Sequence, residues 1–132
     1  MSDTDDKKSN SFEAGGKVWL VPEFRVDALL RWRNCPDAPC DPMDIEKAVQ
    51  MLFEDPLGSV ACLGAVIKHQ RETADLTPDK FHAIFDAKAS AAAMALMLER
   101  YIDFFMYLPS APRVQAAVQK HKSHPLPQNS GS

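Results

Sequence analysis

The sequence predicts a mainly α-helical protein: a small bundle of five or six helices with a short N-terminal β-strand or extended arm. Two observations favour this fold class. Apolar residues recur at helical spacing along most of the chain. Aspartate-proline and threonine-proline pairs stand where these patterns begin, and a capping side chain followed by proline is typical of a helix start.

The chain is expected to form one domain between two polar ends. Residues 1–16 are predicted to be a flexible N-terminal leader, because they hold too few apolar side chains to offset the entropy of ordering. Residues 17–120 are predicted to form a single helical domain, since a chain of 132 residues suffices for one hydrophobic core. Residues 121–132 are predicted to be a flexible C-terminal tail, in which prolines oppose regular structure.

The first ordered segment is predicted at residues 17–21, which read KVWLV after the turn signal Gly15-Gly16. These residues favour a short strand or an extended arm that pairs either within the chain or with a partner. An amphipathic helix is predicted over residues 24–34. The proline-rich residues 34–41 are then expected to form a stiff loop.

Further helix starts are predicted at three aspartate-proline or threonine-proline pairs, at residues 41–42, 55–56 and 77–78. The first two helices are expected to end near Glu54 and Glu72. The longest helix is predicted from about Ala87 to Leu108, with a broad apolar stripe. Pro109 and Pro112 then turn the chain into a last amphipathic helix, from about residue 111 to 120.

Charge, hydropathy and cysteine content indicate which partners and which compartment to expect. The chain has 15 Lys+Arg against 18 Asp+Glu, a formal net charge of -3, so no nucleic-acid partner is expected. Its longest apolar run is too short for a bilayer span, and no membrane partner is expected. The odd number of cysteines and the polar first residues favour reduced thiols in a cytoplasm.

No catalytic residue, metal or cofactor is predicted, and the chain is not expected to be an enzyme. The sequence has no GxSxG, no glycine-rich phosphate loop and no HExxH. Cys35 and Cys40 in CPDAPC have wider spacing than the CxxC of redox motifs, and a zinc site would need further ligands. His121 and His124 form HxxH without a nearby orienting carboxylate. A zinc or redox module using the two cysteines remains a minor alternative.

The strongest functional signal is the segment 101–108, YIDFFMYL, in which seven of the eight residues are apolar or aromatic. One helix face against a single core accounts for only about half of the positions. The excess is covered either by the final helix or by a partner protein, and both readings stay open. Trp19 is a further candidate that could equally pack under the domain's own helices. The predicted partner-binding residues are Trp19, Tyr101, Phe104, Phe105, Met106 and Tyr107.

The order of these features resembles the tail assembly chaperones of long-tailed bacteriophages and prophages. Members of that family open with a short extended segment leading into a helix, as in GGKVWLVPEFRVDALLRW here. They continue with a turn such as LTPDKF, here in LTPDKFHAIFDA at residues 76–87. Their long helix finishes in an acidic residue followed by paired phenylalanines, as in ERYIDFFMYLP at residues 99–109. The resemblance covers residues 17–108, and the proline-rich loop with Cys35 and Cys40 departs from it.

The resemblance implies a non-enzymatic helical protein that binds the tape measure protein during tail assembly. It would keep hydrophobic segments of that protein from aggregating and help to recruit tail tube subunits. The implied partner is therefore a tape measure or tail tube protein, and a homo-oligomer is also open. The alternative, from a different class, is a small phage-encoded or bacterial regulator or inhibitor that binds a host protein complex.

Overall fold

A computed structural model of the chain describes residues 10–122. Over these residues the protein is mainly helical, with one antiparallel β-hairpin followed by seven helices, which confirms the predicted fold class. The strands are β1 (Ser11–Ala14) and β2 (Lys17–Leu20). The helices are α1 (Val26–Arg33), α2 (Ile45–Glu54), α3 (Pro56–Val66), α4 (Lys68–Thr73), α5 (Pro78–Ala83), α6 (Ala87–Phe105) and α7 (Ala111–Lys122).

The KVWLV segment pairs within the chain, as strand β2 of the hairpin. Gly15 and Gly16 make the two-residue turn with φ of +62° and +75°, a conformation that favours glycine. Phe12 lies opposite Trp19 in the register. Both of these side chains point into the core, whereas Val18 points to solvent and is 58% exposed. One face of the hairpin is therefore apolar and packed on the helices.

The predicted flexible leader is wrong for residues 11–14, which form β1. Phe12 is 5% exposed and Ala14 is 4% exposed, so this strand contributes an apolar face despite its polar neighbours. The Phe12 ring packs 5.6 Å from the ring of Phe85. Residues 1–9 of the predicted leader and 123–132 of the predicted tail lie outside the described residues. His121 and Lys122, which were assigned to that tail, belong to α7.

Helix α3 lies at the centre of the fold and contacts α1, α2, α5 and α6. Its residues are almost all buried, and the small residues Gly58 and Gly64 allow other segments of the same chain to approach closely. Leu57, at the first turn of α3, is an exception, because its side chain is 84% exposed. A helix buried on all sides has no polar face from which its orientation could be read.

The helix predicted to run to Glu72 is two helices, because the chain bends at Ile67 between α3 and α4. Two arginines bond the carbonyls that this bend leaves at the end of α3. Arg31 donates through Nη2 to the Val66 oxygen at 2.9 Å, and Arg71 donates through Nε to the Gly64 oxygen at 3.3 Å. Unpaired carbonyls at a helix end need such partners, and positive groups suit this end of the helix.

Helix α7 runs alongside α2 in the same direction. Arg113 bonds Glu46 at 2.6 Å, and His121 lies 3.4 Å from Glu54, so the two helices advance together. Helix α6 ends at Phe105, three residues before the predicted end, and the chain turns before α7 begins.

The start of α6 is fixed by Asp86, whose carboxylate accepts a hydrogen bond from the Ala89 backbone N–H at 2.8 Å. We expect Asp86→Ala to lower the free energy of unfolding by about 1 kcal/mol, because that N–H loses its partner. Urea unfolding followed by circular dichroism measures the loss. Asp37→Ala, in an exposed loop, is the control, with an expected change below about 0.5 kcal/mol. Equal losses in the two variants would contradict a capping role for Asp86.

Candidate protein-binding site

Trp19, Tyr101 and Phe105 are core residues, which corrects their assignment to a partner-binding surface. The three side chains are 1%, 0% and 0% exposed. The Trp19 ring lies edge-on to Phe81 at 5.2 Å, and its Nε1 donates to the Ala14 carbonyl at 3.1 Å. With its ring packed and its N–H paired inside the fold, Trp19 has no free surface to offer a partner.

Tyr101 and Phe105 lie one helical turn apart on the inner stripe of α6. The Tyr101 hydroxyl donates to the Pro42 carbonyl at 2.7 Å, and burial raises the pKa of this phenol. Its ring packs between Trp32 at 5.7 Å and Phe105 at 4.8 Å. These packed rings stabilise the interior and tie α6 to α1, and the hydroxyl ties α6 to the loop before α2.

The other three predicted residues keep accessible surface. Phe104 is partly buried, Met106 is 49% exposed and Tyr107 is 90% exposed. Since α6 ends at Phe105, Met106 and Tyr107 lie in the turn before α7 and not on a helix face. Helix α7 packs against α2 and α6 but leaves the side chains of this turn exposed. The apolar excess of segment 101–108 is thus divided between the core and the surface.

These exposed side chains border a groove of about 750 Å³ between the end of α6 and the start of α1. We call it the apolar groove. Its apolar lining comes from Phe24, Val26, Phe104, Met106 and Tyr107. Val26 is 63% exposed, so the apolar surface continues from the α6–α7 turn onto α1. An aromatic side chain beside an apolar groove is typical of a protein-binding site.

Arg100 fixes one wall of the apolar groove. Its Nε donates to the Val21 carbonyl at 2.7 Å, and its Nη2 donates to the Asn10 side chain. Its side chain is only 12% exposed, so these bonds lie largely out of solvent. Arg100 therefore holds the base of the hairpin against α6 at the edge of the groove.

Two further depressions lie along the side of α1, and nothing in the sequence singled them out. A middle depression of about 220 Å³ lies between the residues that precede α1 and Val66. A basic pocket of about 370 Å³ lies at the far end of α1, with Phe81, Gly64 and Ala65 among its apolar lining. Its charged and titratable lining comprises Arg31, Asp37, Lys68, Arg71 and His82.

The cysteines lie near this region without forming a recognisable metal site. Cys35 lines the basic pocket, and its Sγ lies 3.6 Å from the Ala61 carbonyl. Burial raises the pKa of both the Cys40 and the Cys62 thiols. Because the thiolate is the metal ligand and nucleophile, raised pKa values disfavour both kinds of chemistry at these two residues. Within residues 10–122, no three His, Cys, Asp or Glu side chains meet as a metal site would require.

The two histidines of the HxxH pattern are not brought together by any described contact. His121 stacks on Phe53 with ring centroids 4.7 Å apart, and His124 lies outside the described residues. Among the described helices, none is both long enough and apolar enough to cross a bilayer. No known family model, curated protein or solved structure matches the chain.

Proposed function

We propose that this chain is a non-enzymatic assembly chaperone that binds apolar segments of a long structural protein. The observation that carries this proposal is the exposure of Tyr107 and Met106 beside the apolar groove. Both side chains lie in the turn between α6 and α7, and together with Val26 they form exposed apolar surface at the rim of the groove. Contiguous apolar surface of this kind is typical of protein interaction sites.

The chemistry of this surface suits an apolar protein segment. Tyrosine offers a large ring area together with a hydroxyl, and such residues provide much of the binding energy at interfaces. Methionine is flexible and polarisable, so it adapts to apolar side chains of different shapes. Phe104 lies half-buried in the wall, and its ring packs edge-on to Phe105 at 5.2 Å. The core thus supports the binding surface from beneath.

The proposed partner is a phage tape measure protein, or a tail tube subunit recruited with it. This choice rests on the resemblance of GGKVWLVPEFRVDALLRW, LTPDKFHAIFDA and ERYIDFFMYLP to tail assembly chaperones. Phe104, Met106 and Tyr107 would make the contact. A protein that shields long apolar segments needs an accessible apolar surface, and the exposed side chains of the apolar groove offer one.

Co-expression with a tape-measure-like protein tests the proposal. The wild-type chain is expected to raise the soluble fraction of that partner and to sediment with it. The double variant Met106→Asp/Tyr107→Asp is expected to lose most of this effect, because charges in the contact surface oppose burial. Leu57→Asp is the matched control, since Leu57 is 84% exposed outside the apolar groove and its variant is expected to keep the effect.

Two outcomes would contradict this function. If the wild-type chain leaves the partner's solubility and sedimentation unchanged, it is no chaperone for that partner. If a pull-down from host lysate recovers a defined host enzyme, and the double variant loses that enzyme, the surface belongs to a regulator or inhibitor of a host complex. The Leu57 variant controls both experiments.

A further inference from the structure

The apolar groove, the middle depression and the basic pocket follow one another along α1. Glu23, Phe24 and Arg25 line both the apolar groove and the middle depression. Arg31 lines both the middle depression and the basic pocket. Because neighbouring depressions share lining residues, the three lie in a row from the α6–α7 turn to the end of α1, and we call this row the track.

The two ends of this track differ in chemistry. The lining of the apolar groove holds two carboxylates and two guanidinium groups, which balance, and its surface is dominated by aromatic and aliphatic side chains. The lining of the basic pocket holds Arg31, Lys68 and Arg71 against one carboxylate, Asp37, with His82 in addition. Two exposed carboxylates outside this lining pair with its cations, Asp27 with Arg31 at 3.3 Å and Glu72 with Lys68 at 3.8 Å. The lining itself therefore carries more cations than carboxylates, in a chain whose formal net charge is -3.

The two guanidinium groups of the basic pocket are held in place by backbone carbonyls, whereas its ammonium group is freer to move. Arg71 donates through Nη1 to the Leu76 carbonyl at 2.9 Å, and Arg31 donates to the Val66 carbonyl. The Lys68 ammonium lies 3.8 Å from Glu72, and its side chain is 55% exposed, so it can turn towards a ligand. Fixed guanidinium groups beside a mobile ammonium suit a carboxylate, because little ordering is needed on binding.

We infer that the track binds an unfolded segment of the partner protein that has apolar residues at one end and acidic residues at the other. This inference rests on the proposed function and specifies the chemistry of the client segment. Helix α1 has 8 residues and is about 12 Å long at a rise of 1.5 Å per residue. An extended peptide covers this length in about four residues. The apolar and acidic parts of the segment are therefore separated by a short spacer.

Fluorescence anisotropy with labelled synthetic peptides tests the inference. The first peptide carries a pair of leucines, a glycine-serine spacer of about four residues and a pair of glutamates. The second has glutamine in place of glutamate, and the third has serine in place of leucine. At low ionic strength we expect the glutamine peptide to bind about tenfold more weakly than the first, because it lacks charge for the basic pocket. The serine peptide is expected to lose binding at the apolar groove.

Variants at each end of the track assign the two contributions. Lys68→Glu is expected to weaken the binding of the glutamate peptide about tenfold and to leave the binding of the glutamine peptide unchanged. Tyr107→Ser is expected to weaken both leucine-containing peptides equally. Lys47→Glu makes the same change of charge on α2, where the lysine side chain is 72% exposed. This control is expected to change the binding of neither peptide. Leu57→Ser is the matching control for Tyr107.

Four results would overturn the inference. Equal binding of the glutamate and glutamine peptides would remove the role of the basic pocket. Equal losses from Lys68→Glu and Lys47→Glu would show an effect of net charge alone. The wild-type chain could instead self-associate in a concentration-dependent way. If Tyr107→Ser and Lys68→Glu both abolish that association, the track binds a second copy of the chain. If the peptides fail while the wild-type chain still keeps its partner soluble, the proposed function stands and only the client chemistry is wrong.

Discussion

Replacing Phe105 by alanine is expected to lower the free energy of unfolding by about 3–5 kcal/mol, because a wholly buried ring is removed and a cavity remains. Phe105 is 0% exposed, and its ring packs 4.8 Å from Tyr101 and 5.2 Å from Phe104. Tyr107→Ala, two residues further on, is expected to change stability by less than about 0.5 kcal/mol, since that side chain is 90% exposed. Urea unfolding of both variants measures the contrast.

Binding measurements extend the comparison of Phe105 with Tyr107. Tyr107→Ala is expected to weaken binding to an apolar client while leaving the fold intact. Tyr107→Phe is the conservative control, because it keeps the ring and removes only the hydroxyl. A loss below about 1 kcal/mol for Phe105→Ala would mean that Phe105 is not packed as described, and would restore it as a candidate contact residue.

The sequence contained the signal that separates these two classes of residue. Ala93, Met97, Tyr101 and Phe105 follow at intervals of four, which is the inner stripe of a single helix, and all four are buried. The end of α6 was harder to predict. Proline at residue 109 sets only an outer limit for the helix end, and the structure shows that the helix stops earlier, at Phe105. That earlier turn leaves Met106 and Tyr107 exposed.

The hairpin and the basic pocket show what sequence patterns omit. Strand β1 lies in a polar segment, and only its pairing with β2 makes the alternation of Phe12 and Ala14 meaningful. The basic pocket joins residues 31–37, 61–71 and 78–82, which are far apart in the chain and share no motif. Only helix packing brings these charges together, so no sequence pattern predicts the basic pocket.

Helix α3 was predicted as a helix, but its position was not. Its start signal, Asp55 before Pro56, is a true cap, because the Asp55 carboxylate accepts from the Gly58 N–H at 3.0 Å. The central position of α3 depends on small residues that let other chain segments approach. The groups that lie against Gly58 are known only from the fold and cannot be read from the sequence.

Replacing Gly58 by alanine is expected to lower the free energy of unfolding by about 1–3 kcal/mol through overpacking. A Cβ atom at residue 58 would lie 2.6 Å from Pro39 Cγ and 2.7 Å from Asp55 Oδ2. Both contacts are too close, so the proline-rich loop must move or the cap of α3 must open. Thermal and urea unfolding of the variant measure the loss.

Gly64→Ala is the matched control on the same helix. Its Cβ would lie 3.3 Å from the Phe81 ring, a milder approach, and alanine is favoured over glycine in a helix by up to about 1 kcal/mol. Its net effect is therefore expected to be near zero, and similar losses at both positions would contradict a specific role for Pro39. The Trp32 Nε1–H also donates to the Cys40 carbonyl at 3.0 Å, which ties the same loop to α1. The proline-rich loop, which departs from the tail chaperone pattern, thus acts as packing for α3.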